Sequence, residues 1–336
     1  MSIFKYILFL FALSDSAAFA QQLHFSQYFN TPLLINPANT GFNPDYDYRL
    51  GGTYRNQWSN VMTNPYKTMS LWGDAQLFTE RIESGWAGIG GTLYKDQAGS
   101  GNLTSTQGYF SVAYHQMLGN SSLLSLGFSG GIVSNQIDVS KLVFDNWDYN
   151  SQSFSSYNGN HINSNTSYLD LQLGLNYALF VSNIAYFNIG VSAMHLNKPK
   201  ENFLVSANNK SQSVPIRSNL FLNTNFKIED LWILNPNLYI SNSANRNEIL
   251  LGINANRNIS GDGIKQLIAG VYYRSNDAII PMIGYQVSDT KITISYDLTT
   301  SALGSFNNSR GGYELSIMKN GSYGKDHPIK CPSMKF

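Results

Sequence analysis

The chain has 336 residues, of which 13% are charged, about half of the ~25% usual in soluble domains. Its 22 Lys and Arg against 21 Asp and Glu give a net charge of +1, which excludes the basic surplus of a nucleic-acid binder. The single cysteine, Cys331, excludes an internal disulfide framework and a thiolate metal cluster.

The N-terminal region carries Lys5, then an apolar run over 6–13, then Ala18-Phe19-Ala20. This is the pattern of a secretory signal over 1–20, with Gln21 as the first mature residue. The run falls well short of the ~20 residues that span a bilayer. No cysteine follows the cleavage point, so a lipoprotein anchor is not indicated. With no long apolar helix beyond it, the mature chain is either an exported soluble protein or a membrane barrel.

Residues 21–45 are not strand-like. Phe25, Tyr28 and Phe29 supply rings to bury, and Asn36-Pro37 with Gly41 favours a compact turn, because Pro fixes φ and Gly permits positive φ. The segment is expected to fold back into the periplasmic mouth or the lumen of a barrel and to contact Arg55 and Gln57. Such packing is structural in itself.

From residue 46 the hydrophobic period is two. Ile292, Ile294, Tyr296 and Leu298 alternate with Lys291, Thr293, Ser295 and Asp297. Leu169, Leu171, Leu173 and Leu175 alternate with Asp170, Gln172, Gly174 and Asn176. About fourteen such segments are predicted, at 46–58, 66–78, 85–95, 104–118, 122–136, 167–180, 185–196, 216–227, 231–241, 246–258, 266–275, 278–287, 291–299 and 312–319. They exceed the ~5–6 residues of ordinary strands and suit the ~9–11 of a tilted membrane strand. The fold class is therefore all-β, an outer-membrane β-barrel over 46–319 of about fourteen antiparallel strands. Pro236 and Pro281 fall inside two segments, where a missing donor predicts a bulge or a strand end. The longest polar gaps, 137–166 and 197–215, follow odd-numbered segments, and intermediate gaps follow the first, third and thirteenth. Tight turns follow even-numbered ones, as in barrels with long extracellular loops and short periplasmic turns.

Aromatic residues near segment ends or on apolar faces suit a membrane interface: Tyr46, Tyr54, Trp58, Tyr66, Trp72, Trp86, Tyr94, Tyr109, Tyr239 and Tyr296. The polar faces carry Arg49, Arg55, Asp170, Arg217, Glu248 and Asp297, mixed charges that pair with one another or with a plug. The glycines of 85–91 lack the Lys-Ser/Thr ending of a phosphate loop and mark a bend or close packing instead. Asp145, Asn146, Asp148 and Asn150 carry oxygens for Ca²⁺ but miss the EF-hand spacing, so a solvated loop is the simpler reading. The five histidines, His24, His115, His161, His195 and His327, share no ligand spacing. No catalytic, cofactor or metal site is expected. The tail, 320–336, carries Lys325, Lys330 and Lys335 against Asp326. It reads as a solvated periplasmic segment, or more sharply as a docking peptide.

Phe25-Ser26-Gln27-Tyr28, then Asn36-Pro37-Ala38 with Gly41, then Tyr54-Arg55 with Gln57-Trp58 occur in that order. Near the other end come Tyr273-Arg274 with Asp277-Ala278, Tyr296-Asp297, and Gly311-Gly312-Tyr313-Glu314-Leu315. Together they resemble the PorP/SprF family of Bacteroidetes outer-membrane proteins of the type IX secretion system. Tyr313 stands where the family has His, so no imidazole role carries over. Cys331-Pro332 also resembles family tails, whereas 135–215 matches only in strand pattern. The resemblance implies a non-enzymatic barrel in the cell outer membrane, exported by its Sec signal. It would aid export or surface attachment of adhesin or gliding-motility proteins. The implied partners are secretion-system components, a secreted surface protein with a C-terminal sorting domain, and outer-membrane lipid. The alternative of another class is a porin or a hydrophobic small-molecule transporter, whose lumen would be open or gated. The family-motif candidates are Phe25, Ser26, Gln27, Tyr28, Asn36, Pro37, Gly41, Tyr54, Arg55, Gln57, Trp58, Tyr296, Asp297 and Glu314.

Overall fold

Alternating side-chain polarity over runs of ten or more residues drives the chain into strands whose two faces meet different solvents. The computed structural model describes residues 25–323 apart from 44, 60, 100, 139–146, 149–152, 155–160, 163, 183, 203, 206–211, 245 and 303. The signal region and the tail beyond 323 lie outside the described residues, as do the side chains of Asp145, Asn146, Asp148 and Asn150.

Fourteen strands form one closed antiparallel barrel. They are β1 (Tyr48–Gln57), β2 (Tyr66–Leu77), β3 (Gly85–Ala98), β4 (Leu103–Leu118) and β5 (Ser122–Gln136). Next come β6 (Asn165–Ser182), β7 (Ala185–Met194), β8 (Arg217–Ile228), β9 (Trp232–Ser243) and β10 (Arg246–Asn258). The last are β11 (Lys265–Arg274), β12 (Ala278–Val287), β13 (Thr290–Thr299) and β14 (Arg310–Gly321). Each strand pairs with its sequence neighbours, and β14 closes on β1 with Gly321 opposite Tyr48 and Gly312 opposite Gln57. Closure leaves no edge strand, which is what a sheet needs in lipid. Among the described residues no helix is long and apolar enough to cross a membrane.

The barrel is inside-out relative to a soluble fold. Leu71, Leu93, Ile132, Leu169, Ile253, Ile283 and Ile294 are exposed on its outer wall. Ser70, Asp74, Ser111, Asp170, Arg217, Thr293 and Asp297 are buried within. This is the polarity of a membrane barrel. The expected segments coincide with the strands to within about three residues. Both prolines fall at ladder interruptions, Pro236 between β8 and β9 and Pro281 between β12 and β13.

Two expectations need correction. The parity of loop lengths holds for the longest connections, 137–164 and 195–216, and for 58–65 and 300–309. The connection after β3 is tight, however, because β3 and β4 run on to Ala98 and from Leu103. The turn at 78–84, after an even strand, is longer than a hairpin turn.

The second correction concerns the aromatic residues. Trp72, Trp86, Tyr94, Tyr109 and Tyr239 are buried in the lumen rather than placed at a lipid interface. Period two explains it. Trp72 shares parity with Ser70 and Asp74, Tyr94 with Thr92 and Asp96, and Tyr239 with Ser241, all inward positions.

Candidate functional site

The lumen is filled by residues 25–43, which run through it as short turns. These are 3-10 turns at Tyr28–Asn30 and Pro37–Asn39 flanking a helical turn at Pro32–Ile35. Proline opens the second and third, where its missing N–H costs nothing. Asn36 caps the third, its Oδ1 accepting from Ala38 N at 2.8 Å. Gly41 adopts φ +68°, the left-handed region that glycine enters freely.

Irregular backbone at membrane depth is tolerated only where protein groups satisfy it. Here the wall does so, from strands on nearly every side. Glu314 Oε2 and Oε1 accept from the N–H groups of Ser26 and Gln27, both at 2.8 Å. Asp74 Oδ2 accepts from Gly41 N at 2.7 Å. Trp72 Nε1 donates to Asn30 O at 2.8 Å, and Trp86 Nε1 donates to Gly41 O at 2.9 Å. Ser192 Oγ donates to Ile35 O at 2.6 Å, and Arg49 Nη2 to Asn39 O at 2.8 Å. His115 Nε2 lies 2.8 Å from Thr40 O. A carbonyl only accepts, so Nε2 carries the proton and Nδ1 accepts from Ser125 Oγ at 2.7 Å.

The turn at Asn36 sits where the wall has no side chain. Asn36 Nδ2 donates to Leu175 O on β6 and Val191 O on β7, both at 3.1 Å. A Cβ on Gly174 would overlap Asn36 Oδ1, and one on Gly88 of β3 would overlap Thr40 O. The glycines of 85–91 thus include a docking floor.

The tightest part of the seat is charged. Ser26 Oγ donates to Asp297 Oδ1 at 2.7 Å and accepts from Arg55 Nη1 and Arg274 Nη2, each at 2.7 Å. One donor and two lone pairs are all used. Asp297 Oδ2 takes Arg55 Nη2 and Arg274 Nη1, each at 2.8 Å. Arg55 Nη1 also reaches Glu314 Oε2 at 3.2 Å, and Arg274 reaches Glu248 at 3.3 Å and Asp277 at 2.9 Å. Two buried cations therefore meet four carboxylates around one hydroxyl, the condition under which buried charge is tolerated. Beside this knot Gln27 Nε2 donates to Ser295 Oγ at 2.9 Å, and Thr293 Oγ1 donates to Gln27 Oε1 at 2.5 Å.

The aromatic residues complete the seat. Tyr28 stacks on Tyr239 with centroids 4.8 Å apart, and its hydroxyl donates to Asn223 Oδ1 at 2.8 Å. Burial first, then the neighbouring Tyr272 and Tyr239, pushes the Tyr28 phenol well above its ordinary range. It therefore stays a neutral donor. Phe25 packs edge-on against Tyr94 at 6.1 Å.

Of the fourteen sequence candidates, Ser26, Gln27, Arg55, Asp297 and Glu314 converge on one knot. Phe25, Tyr28, Asn36, Pro37 and Gly41 line the same segment. The other four stand apart. Tyr54 is half-buried near Tyr313, with centroids 6.2 Å apart, and Tyr296 is exposed on the outer wall. Trp58 follows β1 with φ +60° and lies beside Tyr66. Among the described residues no hydrogen bond joins Gln57 to the N-terminal segment. The side-chain Oε1 of Gln57 accepts from Arg55 Nη2 at 3.4 Å. Arg274, Asp74, Trp72, Trp86 and His115 were missed as seat residues. Their signal was parity, since each shares an inward face with small or polar neighbours. Among the described residues no three His, Cys, Asp or Glu side chains gather as a metal site.

A closed fourteen-strand barrel with an apolar exterior and a plugged polar interior defines an outer-membrane-type β-barrel. Residues 17–318 match the family of the type IX secretion system membrane protein PorP/SprF, and the chain belongs to that family. Among solved structures it is similar to the CymD monoaromatic hydrocarbon channel, with 9% identity and a TM-score of 0.52 over 88% of this chain and 94% of that one. It is also similar to the Ralstonia pickettii toluene transporter TbuX, with 10% identity and a TM-score of 0.52 over 87% of this chain and 94% of that one. At such identities the likeness is one of fold. No curated protein matches the chain.

Proposed function

We propose that this barrel serves type IX secretion from the outer membrane, aiding export or surface attachment of adhesin or gliding-type proteins through protein contacts. The observation that carries this reading, beside family membership, is the filled lumen. Residues 25–43 bond to strands around the barrel wall, so the molecule offers surfaces rather than an open conduit. In this reading the end bearing 137–164 and 195–216 is extracellular and meets the exported client's C-terminal domain. The short turns and the tail then face periplasmic machine components. The plugged lumen counts against a small-molecule porin or hydrocarbon transporter, although the similar solved structures are such channels. The chemistry proposed is contact alone, without catalysis or cofactor.

The test is affinity purification of the full chain from detergent-solubilised outer membranes, followed by mass spectrometry. Recovery of type IX components or a large surface protein is expected. Recovery of the barrel alone, from membranes rich in those proteins, would contradict the secretion role.

A further inference from the structure

The plug does not fill the lumen evenly. Towards the short-turn end a cavity of about 390 Å³ remains between the plug and a wall drawn from β6–β14 and β1. That is within the size range of small-molecule sites. Its wall is an unusual surface for a barrel interior. Asn188, Asn223, Asn225, Asn235, Asn254 and Asn256 face it from four adjacent strands. The plug contributes the apolar Phe29, Pro32, Ile35 and Phe42 together with Asn39 and Asn43.

Several of these amides are only half used. Asn235 Nδ2 donates to Asn225 Oδ1 at 2.6 Å, and Asn254 Nδ2 donates to Tyr272 Oη at 2.7 Å. The remaining amide atoms of the three have no protein partner among the described residues. Asn188 is more telling. It is only 5% exposed, and its Oδ1 has no hydrogen-bond partner. A buried polar atom left so costs roughly 1–3 kcal/mol in general. Lys291 lines the same cavity, its Nζ 5.9 Å from the Phe29 ring centre. Among the described residues it has no carboxylate partner. The other charges at the cavity are Arg49, which Asp74 neutralises, and Asp45.

These features narrow the ligand. An apolar molecule would strand the amides without water. An extended peptide takes its bonds from free strand main chain, and here the main chain is committed to the barrel ladders. A sugar matches better. Each hydroxyl both donates and accepts, as the amide wall does, and its C–H face suits the plug's apolar side chains. The lone Lys291 adds a demand for one anionic group.

We propose that this cavity binds a one- or two-ring sugar bearing a carboxylate, with its hydroxyls on the Asn wall and its carboxylate on Lys291. This site is independent of the secretion role. The experiment titrates full-length protein in detergent with glucuronate, glucose and trialanine, followed by ligand-observed NMR. Glucuronate is expected to bind saturably, at least fivefold more tightly than glucose. Lys291→Gln should bring the two sugars level. Asn188→Leu should weaken both at least tenfold, and Asn256→Ala provides a second wall variant should Asn188→Leu fail to fold. Lys319→Gln, on the outer wall, should change neither. Absence of saturable sugar binding by the native chain would overturn the proposal. So would trialanine binding that depends on Lys291 while sugars do not bind, or sugar affinities indifferent to Lys291 and the wall variants.

Discussion

The two halves of the lumen are built on opposite principles. Around Ser26, where β1, β11, β13 and β14 supply the wall, the lining is charged, and Arg55, Arg274, Asp297 and Glu314 are all paired. Ser26 alone links Asp297, Arg55 and Arg274. Along β7–β10 the part of the wall that faces the cavity is lined by amides, and Asn188 Oδ1 is unpartnered. The first half fixes the plug in one register, because two buried cations accept only one arrangement of carboxylates. The second leaves room. A barrel that needed only to be filled could have used apolar side chains throughout. The contrast teaches that the plug is held by buried charge on one side and by neutral hydrogen bonds and ring stacking beside a cavity on the other.

That difference can be broken by substitution. Asp297→Ala strands Arg55 and Arg274 and should cost about 3–5 kcal/mol. Denaturant unfolding in detergent would read this as a large drop in midpoint. Gly174→Val places a side chain where Asn36 docks. The barrel should still fold, while a protease reaches residues 25–43 that are shielded in the native chain. Ser26→Ala removes one hydroxyl and leaves three partners short, an expected loss of about 1–3 kcal/mol. Trp72→Phe deletes the single bond to Asn30 O and should lower stability by about 1 kcal/mol. On the cavity side, Asn235→Ala should fall within about 0.5 kcal/mol of the native chain by the same unfolding measurement. A loss there equal to that of Asp297→Ala would erase the distinction between the halves.

Much of the barrel was legible in the sequence, because lipid outside and polar lumen inside write their difference at every second residue. The run from Lys291 to Asp297 shows which face is which without any knowledge of neighbours. The plug's turn chemistry was legible for the same local reason, in Asn36-Pro37 and Gly41. The seat was only partly so. Arg55, Asp297 and Glu314 stood in recognisable motifs, but nothing local tells that Arg274 shares their hydroxyl, since these residues lie on strands that meet only on closure. Trp72 and Trp86 were assigned to the membrane interface because an aromatic side chain suits both environments. Only parity with Asp74 and Gly88 distinguishes them. Gln57, the next inward residue after Arg55, bonds to Arg55 itself, a side-chain pairing that no local pattern announces.

The account rests on residues 25–43 occupying the lumen. Single-channel conductance of the intact chain in planar bilayers tests this most directly, with a variant lacking residues 21–43 as the comparison. The account predicts a nearly silent native barrel and a large, steady conductance once the segment is gone. A native chain that conducts as freely as the truncated one would contradict it.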